Sequence, residues 1–323
     1  MPTMIDDFDR AGVSIVLTIT GPGMYDQPAF TDCLAAALDQ DHPSTEIIVV
    51  DGRGPAARSD FGPVADDPAH PIRHLPGHYA NRAAMYNTAL RAASEQYMLA
   101  LINDRGPVRL RRSAVRTMLM AAVRQEQIGL VYGDYELIDA SGRRRDVHLL
   151  DWHPGRLCDA ADFGQAIMFS TAALRELGGF NEKLAAADLY DLRLRVTEKY
   201  KVKHIANRFA GSLYTVTASA KAHDVFDYLL ADKNTRLETE AVLTEHLKRT
   251  GAYLAPGAHF RPIEYTDDRQ DRFADCIASV VIPVNDRPEF IGRAIESVQT
   301  QTVRQVEVIV VVNGGPEDPT IAA

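Results

Sequence analysis

The chain has 323 residues, of which 46% are hydrophobic and 24% charged, as is typical of a globular protein of one large or two ordinary domains. Lys and Arg number 35 against 44 Asp and Glu, and the net charge of −9 argues against a nucleic-acid partner. The three cysteines are far apart and no apolar run is long enough to span a bilayer, which argues against a disulfide framework, a zinc site and a transmembrane segment. We therefore expect a cytoplasmic protein.

The first predicted elements form a strand, helix, strand (βαβ) unit. Residues 14–20 and 46–55 are rich in Val and Ile, and residues 30–40 between them have apolar side chains at helical spacing. Nearly continuous Val and Ile indicate parallel strands that are covered on both faces. The carboxyl ends of such strands form the ligand-binding edge of open α/β sheets.

The chain then continues with alternating elements. Helices are predicted over residues 81–94, 109–125, 171–177, 189–200 and 224–250. Strands are predicted over residues 97–102, 129–138, 163–169 and 202–205. The helix predicted over residues 109–125 is basic, and a second basic stretch, residues 143–145, follows a predicted turn.

The end of the chain repeats its beginning. Residues 279–285, 290–301 and 307–316 again form a β-branched run, an amphipathic stretch and a β-branched run that ends in Gly and Pro. The predicted domains are residues 1–223, a helical extension and linker over residues 224–276, and the βαβ opening of a second, incomplete copy over residues 277–323. We expect the chain to be a fragment of a longer tandem protein; alternatively, the lone unit docks on the first domain or on a neighbouring chain. The sequence leaves open whether the chain forms a homo-oligomer.

Several motifs together resemble family-2 inverting glycosyltransferases of the GT-A fold, of the multi-domain bacterial type that builds cell-surface polysaccharides. The motifs, in chain order, are EIIVVDGRGP, NTALRAASEQYMLALIND, LVYGDYELIDASGR, DWHPGRL and FGQAIMFSTAALRELGGFNEKLAAADLYDLRLRV. This resemblance covers nearly the whole chain. It implies an α/β, Rossmann-like, mostly parallel sheet flanked by helices. It also implies hexosyl transfer from a nucleotide-diphosphate sugar, of UDP type, to a glycan or lipid-linked acceptor, at the inner face of the cell membrane.

A donor site is expected at the carboxyl edge of the predicted sheet, where Thr20 and Asp51 follow the first two strands. In the family that the chain resembles, the aspartate matching Asp51 accepts a hydrogen bond from the nucleotide base; alternatively, Asp51 only ends a strand and caps a turn. Arg82 and Asn87, on the next predicted helix, are expected either to face the nucleotide or to be solvated on the helix surface.

A metal site is expected after the next strand, where Asn103 and Asp104 emerge at the same edge. A carboxylate there can hold Mg²⁺ or Mn²⁺ against the two phosphates of the donor. The family shows two or three acids at this point, whereas in this chain Asp104 alone matches. Arg105 is an alternative source of positive charge.

The catalytic base is assigned by the same resemblance. The family has an acidic pair before a Tyr-Asp-Leu sequence, and this chain has Asp188 followed by Leu189. Asp188 is therefore the candidate base, while Asp191 is a second candidate or a helix N-terminal acid. Gly179 and Trp152, the only tryptophan, are expected to contact the acceptor or to serve in packing.

The departures from the family pattern support two hypotheses. In the first, the chain is an active transferase with a reduced metal site. In the second, it is a catalytically degenerate transferase fold for acceptor binding, scaffolding or oligomerisation. A dinucleotide-dependent oxidoreductase is disfavoured because no G-x-G-x-x-G sequence follows the first strand of either copy.

Overall fold

The computed structural model describes residues 8, 10–20, 27–58, 61, 72–103, 106–158, 163–207, 211–218, 233–255, 276–314 and 317–321. The chain divides into two compact units, Met1–Tyr253 and Leu254–Ala323. The domain boundaries predicted from the sequence stay a prediction.

The first unit contains strands and helices in alternation. Its described strands are β1 (Val13–Ile19), β2 (Thr45–Asp51), β3 (Ile72–Pro76), β4 (Tyr97–Leu101), β5 (Val108–Leu110), β6 (Ile128–Gly133), β7 (Tyr135–Ile138), β8 (Arg144–Val147), β9 (Ala166–Ser170), β10 (Lys201–Ile205) and β11 (Tyr214–Thr217). Its described helices are α1 (Gln27–Leu38), α2 (Arg82–Ala92), α3 (Ala114–Val123), α4 (Thr171–Glu176), α5 (Asp188–Lys199) and α6 (Lys233–Arg249).

Seven of these strands form one sheet in the order β10-β6-β9-β4-β1-β2-β3. Strand β9 is antiparallel to both of its neighbours, and the other adjacent pairs are parallel. The predicted α/β class, with a large and mostly parallel sheet flanked by helices, is confirmed.

Helices cover both faces of this sheet because successive side chains of a strand point to opposite faces. Ile15 of β1 belongs to an apolar cluster that includes Leu34 of α1. Its neighbour Val16 belongs to a separate cluster that includes Tyr86 of α2 and Leu192 of α5. Every residue of β1 is buried, as its run of apolar residues predicts for a covered parallel strand.

A second sheet, in the order β5-β11-β7-β8, corrects two of the sequence predictions. The helix predicted over residues 109–125 begins only at Ala114, because the residues before it form β5 and pair with β11. Val108 and Leu110 are buried and Arg109 is exposed, which is the alternation of a strand. The single strand predicted over residues 129–138 is broken at Asp134, and its two parts lie in different sheets.

The second unit contains β12 (Ala278–Val284), α7 (Pro288–Gln299) and β13 (Val306–Val312). The two strands are parallel, with Ala278 opposite Val306, so this segment is a βαβ unit. Ile291 of α7 is buried, whereas Val281 and Ile309, which are opposite each other in the two strands, are exposed. That the unit opens a second copy of the first fold stays a prediction.

In the part of the chain that the structure describes, every helix is too short or too polar to cross a bilayer.

Candidate functional site

The carboxyl edge of the large sheet brings the predicted site residues together. Asp51 ends β2, Asn103 lies two residues after β4, and Asp134 directly follows β6. These strands run in the same direction, so their carboxyl ends share one edge of the sheet. Helix α2 leads into β4 and helix α5 leads into β10, and both strands run in the same direction as β2. The first residues of these helices, Arg82 and Asp188, therefore lie at this edge too.

Asp51 is fully buried and is held by two basic side chains. Arg53 donates from Nε to Oδ1 at 3.0 Å and from Nη2 to Oδ2 at 2.8 Å, and His74 Nε2 lies 2.9 Å from Oδ2. Burial opposes ionisation of the Asp51 carboxyl, but these hydrogen bonds outweigh it and lower its pKa.

The partners of Asp51 were missed by the sequence prediction. Arg53 stands two residues away, where a local ion pair could have been anticipated. His74 comes from β3, and only the parallel pairing of β2 with β3 brings it alongside. Since both oxygens of Asp51 are occupied, a nucleotide base would have to share or displace the Arg53 contacts.

The carboxyl ends of β1, β2 and β4 lie close together. Asn103 donates from Nδ2 to the carbonyl oxygen of Thr18 at 3.2 Å, which ties the end of β4 to β1. Gly52 donates its N–H to the carbonyl of Ile19 at 2.7 Å, and a Cβ at Gly52 would lie 2.8 Å from the same oxygen. Thr20, at the end of β1, is exposed.

The predicted metal ligand, Asp104, and its neighbour Arg105 lie outside the described residues. Among the residues that the structure describes, no group of three or more His, Cys, Asp or Glu side chains could hold a metal ion. Asp51 is committed to Arg53 and His74, and the amide nitrogen of Asn103 to a carbonyl. The described residues alone therefore do not form the expected Mg²⁺ or Mn²⁺ site.

Asp188, the predicted base, pairs with Arg82, which was predicted to face the nucleotide. Arg82 donates from Nε to Oδ2 of Asp188 at 3.0 Å and from Nη2 to Oδ1. Asp188 is only 1% exposed, while the Arg82 side chain is 20% exposed. Arg82 and Asp188 thus form an ion pair, in which the guanidinium covers the carboxylate.

Asn87 was predicted to face the nucleotide and Gly179 to contact the acceptor. In the structure, the Asn87 side chain instead binds the chain next to Gly179. The Asn87 side chain accepts from the N–H of Phe180 at 2.8 Å, and donates to its carbonyl at 2.9 Å and to Glu182 at 2.7 Å. Gly179 has φ of +73°, and a Cβ there would lie 2.4 Å from Asn87 Oδ1. This geometry favours the packing alternative for Gly179, and it buries Asn87, which is therefore not solvated on the helix surface.

Asp191 is directed to its own helix. Arg195, one turn later, donates from Nε to Asp191 Oδ2 at 2.8 Å and also donates to the carbonyls of Leu177 and Gly179. Asp191 thus helps to anchor the turn before α5. This arrangement agrees with the alternative of a helix N-terminal acid.

Asp134 is a buried carboxylate of the same edge that the sequence prediction missed. It accepts from the N–H of Leu149 at 2.8 Å and from the N–H of Asn207 at 2.9 Å. His204 Nε2 lies 2.8 Å from Oδ1, and His148 Nδ1 lies 3.1 Å from Oδ2. Burial raises the pKa of Asp134, but the hydrogen bonds outweigh burial, so the net shift is downward.

His204 links Asp134 to the segment that contains the only tryptophan. Its Nδ1 lies 2.7 Å from Asp151 Oδ1, and its ring stacks on Tyr132 at 4.8 Å between centroids. Asp151 is exposed, and Trp152 is partly buried against the apolar cluster around Tyr132. The cluster and His204 therefore hold the Asp151–Trp152 segment near Asp134, at the carboxyl end of β6.

Helix α6 packs on α5 and holds the chain that precedes Asp188. The Glu238 carboxylate accepts hydrogen bonds from the N–H groups of Ala185, Ala186 and Ala187 at distances from 2.9 to 3.2 Å. Farther along α6, Arg249 and His246 bind Glu198 of α5. The helix that the sequence placed in an extension therefore borders the candidate base.

No family model matches the chain. It is 27% identical over 212 residues to the O-antigen biosynthesis protein RfbC of Myxococcus xanthus, an alignment that covers 65% of this chain and 16% of RfbC. It is also 27% identical over 198 residues to the uncharacterized protein y4gI of Sinorhizobium fredii, covering 59% of this chain and 21% of y4gI. The chain thus spans about a fifth of the length of these relatives, or less.

Two solved structures are similar at low identity. The mannosyltransferase PcManGT from Pyrobaculum calidifontis, in complex with GDP-Man and Mn²⁺, is 14% identical with a TM-score of 0.47, over 76% of each chain. S. aureus TarS is 14% identical with a TM-score of 0.48, over 75% of this chain and 44% of TarS. Similarity at this level does not assign a function.

Proposed function

We propose that the first unit is a glycosyltransferase domain acting in cell-surface polysaccharide synthesis. It would transfer a hexosyl group from a nucleotide-diphosphate sugar, of UDP type, to a glycan or lipid-linked acceptor. The observation that carries the proposal is the convergence of Asp51, Asn103 and the Arg82–Asp188 pair at one edge of a mostly parallel sheet. The sequence relative RfbC, an O-antigen biosynthesis protein, supports the polysaccharide pathway. The ordered motifs support the finer assignment to the inverting, GT-A type of family 2.

Asp188 is the proposed general base. It would accept the proton of the acceptor hydroxyl while the hydroxyl oxygen forms a bond to the anomeric carbon. The bond from that carbon to the diphosphate breaks on the opposite side, so the nucleoside diphosphate leaves with the electron pair and the configuration is inverted. A carboxylate covered by a guanidinium cannot receive that proton, so Asp188 must first be uncovered.

Arg82 supplies a means of uncovering Asp188. Its side chain is partly exposed at the first turn of α2, whereas Asp188 is buried. A bound diphosphate offers the guanidinium a second bidentate anion. We propose that Arg82 turns from Asp188 to the diphosphate when the donor binds, which frees the base and neutralises the leaving group together. Asp104 remains the proposed ligand for a divalent metal, and neither the turning of Arg82 nor the proton transfer to Asp188 depends on that metal.

A catalytically degenerate transferase fold is the second candidate. The observation that favours it is that Asp51 and Asp188 are both buried and paired with arginine in the structure. Such a unit would bind an acceptor or act as a scaffold or an oligomerisation module, while another domain carries out the transfer.

Calorimetry with UDP, GDP and dTDP, with and without Mn²⁺, tests the donor site. We expect one nucleotide to bind to the full chain and Asp51→Ala to weaken its binding at least tenfold, roughly the effect of losing one charged hydrogen bond. Glu126→Gln, an exposed acid of the same unit, is the control. If no nucleotide binds in either condition, the transferase proposal fails. If nucleotide binding still depends on Mn²⁺ in Asp104→Ala, Asp104 is not the metal ligand.

A further inference from the structure

A second pocket of the first unit is lined by arginine. Its volume is about 360 Å³, and its charged lining residues are Arg109, Arg111, Arg112, Arg144 and Asp39. We call it the arginine pocket. Four guanidinium groups around one concave space are unusual in a chain whose net charge is −9.

The arginine pocket lies at the other end of the sheet from the donor site. Gln40 donates from Nε2 to the carbonyl of Arg111 at 3.1 Å, and Asp41 donates its N–H to the carbonyl of Arg112 at 3.0 Å. Gln40 and Asp41 connect α1 to the amino end of β2, whereas Asp51 is at the carboxyl end. A strand of this length spans about 20 Å, so a ligand in the arginine pocket would not reach Asp51.

The positive charge of the pocket is balanced only in part. Arg112 Nε lies 3.5 Å from Asp39 Oδ1, but both side chains are more than 70% exposed, so this ion pair is weak. Arg144 pairs with Glu136 at 3.0 Å. Among the residues that the structure describes, neither Arg109 nor Arg111 makes an ion pair.

The backbone fixes the spacing of these arginines. Arg109 lies on β5, which pairs with β11, and Arg144 begins β8 of the same sheet. Arg111 donates its backbone N–H to the carbonyl of Leu213 at 2.9 Å. A hydrogen-bonded sheet thus carries the charged side chains, so they lie close together before an anion enters the pocket.

We propose that the arginine pocket binds a phosphate group that carries two or more negative charges, as in a phosphomonoester or a diphosphate. Guanidinium groups donate paired N–H bonds that match the oxygens of phosphate. The volume is at the lower end for ligand sites, so it suits a phosphate with a small substituent. The phosphate can belong to a soluble ester or to the headgroup of an anionic lipid.

The test measures binding of inorganic pyrophosphate to the full chain by calorimetry. EDTA is present, so that metal-dependent binding of a diphosphate at the donor edge is suppressed. We expect the double variant Arg109→Gln/Arg111→Gln to weaken binding at least tenfold, roughly the effect of losing one charge-assisted hydrogen bond. Both side chains are exposed, so the variant should fold. The control Arg124→Gln/Arg236→Gln removes two exposed arginines outside the pocket and should bind like the wild type.

A second arm identifies the source of the phosphate. The same proteins are sedimented with phosphatidylcholine vesicles containing about 30% phosphatidic acid, a lipid whose headgroup is a phosphomonoester and whose surface is anionic. Vesicle binding that is lost only in the Arg109/Arg111 variant supports a lipid headgroup, whereas binding of pyrophosphate alone supports a soluble ester. The proposal is overturned if the wild type binds neither probe, or if the double variant and its control bind equally well.

Discussion

The guanidinium of Arg82 pairs with the carboxylate of Asp188, which lies 106 residues later in the chain. The pair joins the first turns of α2 and α5 at the carboxyl edge of the large sheet. The guanidinium that pairs with this carboxylate also keeps it from a substrate, so the behaviour of this pair distinguishes an active site from a scaffold.

Replacing Asp188 with Asn should abolish sugar transfer and leave nucleotide binding within about twofold of the wild type, because the amide cannot accept the acceptor proton. Release of nucleoside diphosphate from the donor that calorimetry identifies measures the rate. Asp191→Asn is the matched control, since Asp191 is in the same first turn but pairs with Arg195. Wild-type rates in Asp188→Asn would remove Asp188 as the base.

Replacing Arg82 with Gln should lower the free energy of unfolding by about 3 kcal/mol, because it leaves the buried Asp188 carboxylate without its partner. Trp152, the only tryptophan, lies in the first unit, so urea unfolding followed by its fluorescence reports on that unit. The double variant Arg82→Gln/Asp188→Asn should be more stable than the sum of the single effects predicts. Strict additivity would show that the two side chains are not coupled.

Gly178→Ala and Gly179→Ala should differ in stability although both glycines have positive φ, +79° and +73°. Nothing lies within 4 Å of a Cβ at Gly178, so Ala should cost only about 1 kcal/mol of backbone strain there. At Gly179 the Cβ meets Oδ1 of Asn87, which the chain around Phe180 holds in place. We expect about 2 kcal/mol more destabilisation, typical of overpacking a buried site. Equal losses would contradict this clash.

The stability of the first unit should depend on Asp134 at acid pH. The pKa of Asp134 is lower in the folded chain, so its stabilising contribution is complete above the unfolded pKa of about 3.9. This contribution is lost as pH falls from there through the folded pKa. Asp134→Asn should therefore lower stability at pH 7 and flatten the loss of stability below pH of about 4. Unfolding in urea from pH 7 to 3, with Glu126→Gln as the exposed control, measures the slope.

Glu238→Gln should slow transfer several-fold without changing nucleotide affinity. Its carboxylate receives three backbone N–H groups directly before α5, and the neutral amide is a weaker acceptor. The start of α5, and with it Asp188, would then be held less firmly. Glu240→Gln, an exposed change on the same helix, is the control. A change in nucleotide KM rather than in kcat would argue against this positioning role.

Local pattern was sufficient to predict the strands that are nearly continuous in Val and Ile. The Val- and Ile-rich runs of β1 and β2, and the βαβ unit of β12, α7 and β13, occur where the sequence predicted them. The prediction was wrong for β5, a short strand in which apolar and charged residues alternate. Arg109 belongs to β5 because Val108 and Leu110 are buried and the segment pairs with β11, a strand more than 100 residues away in the chain.

For the candidate site, the sequence by itself determined some of the chemical groups that reach the carboxyl edge, because strand direction and strand ends follow from local patterns. It placed Asp51 and Asn103 at this edge, whereas Asp188 was assigned as the base only by resemblance. Only the tertiary structure decided what those groups contact: His74 beside Asp51, Arg82 over Asp188, and His204 between Asp134 and Asp151. These partners come from different strands and helices, and their distances depend on strand order and helix packing, which no spacing along the chain encodes.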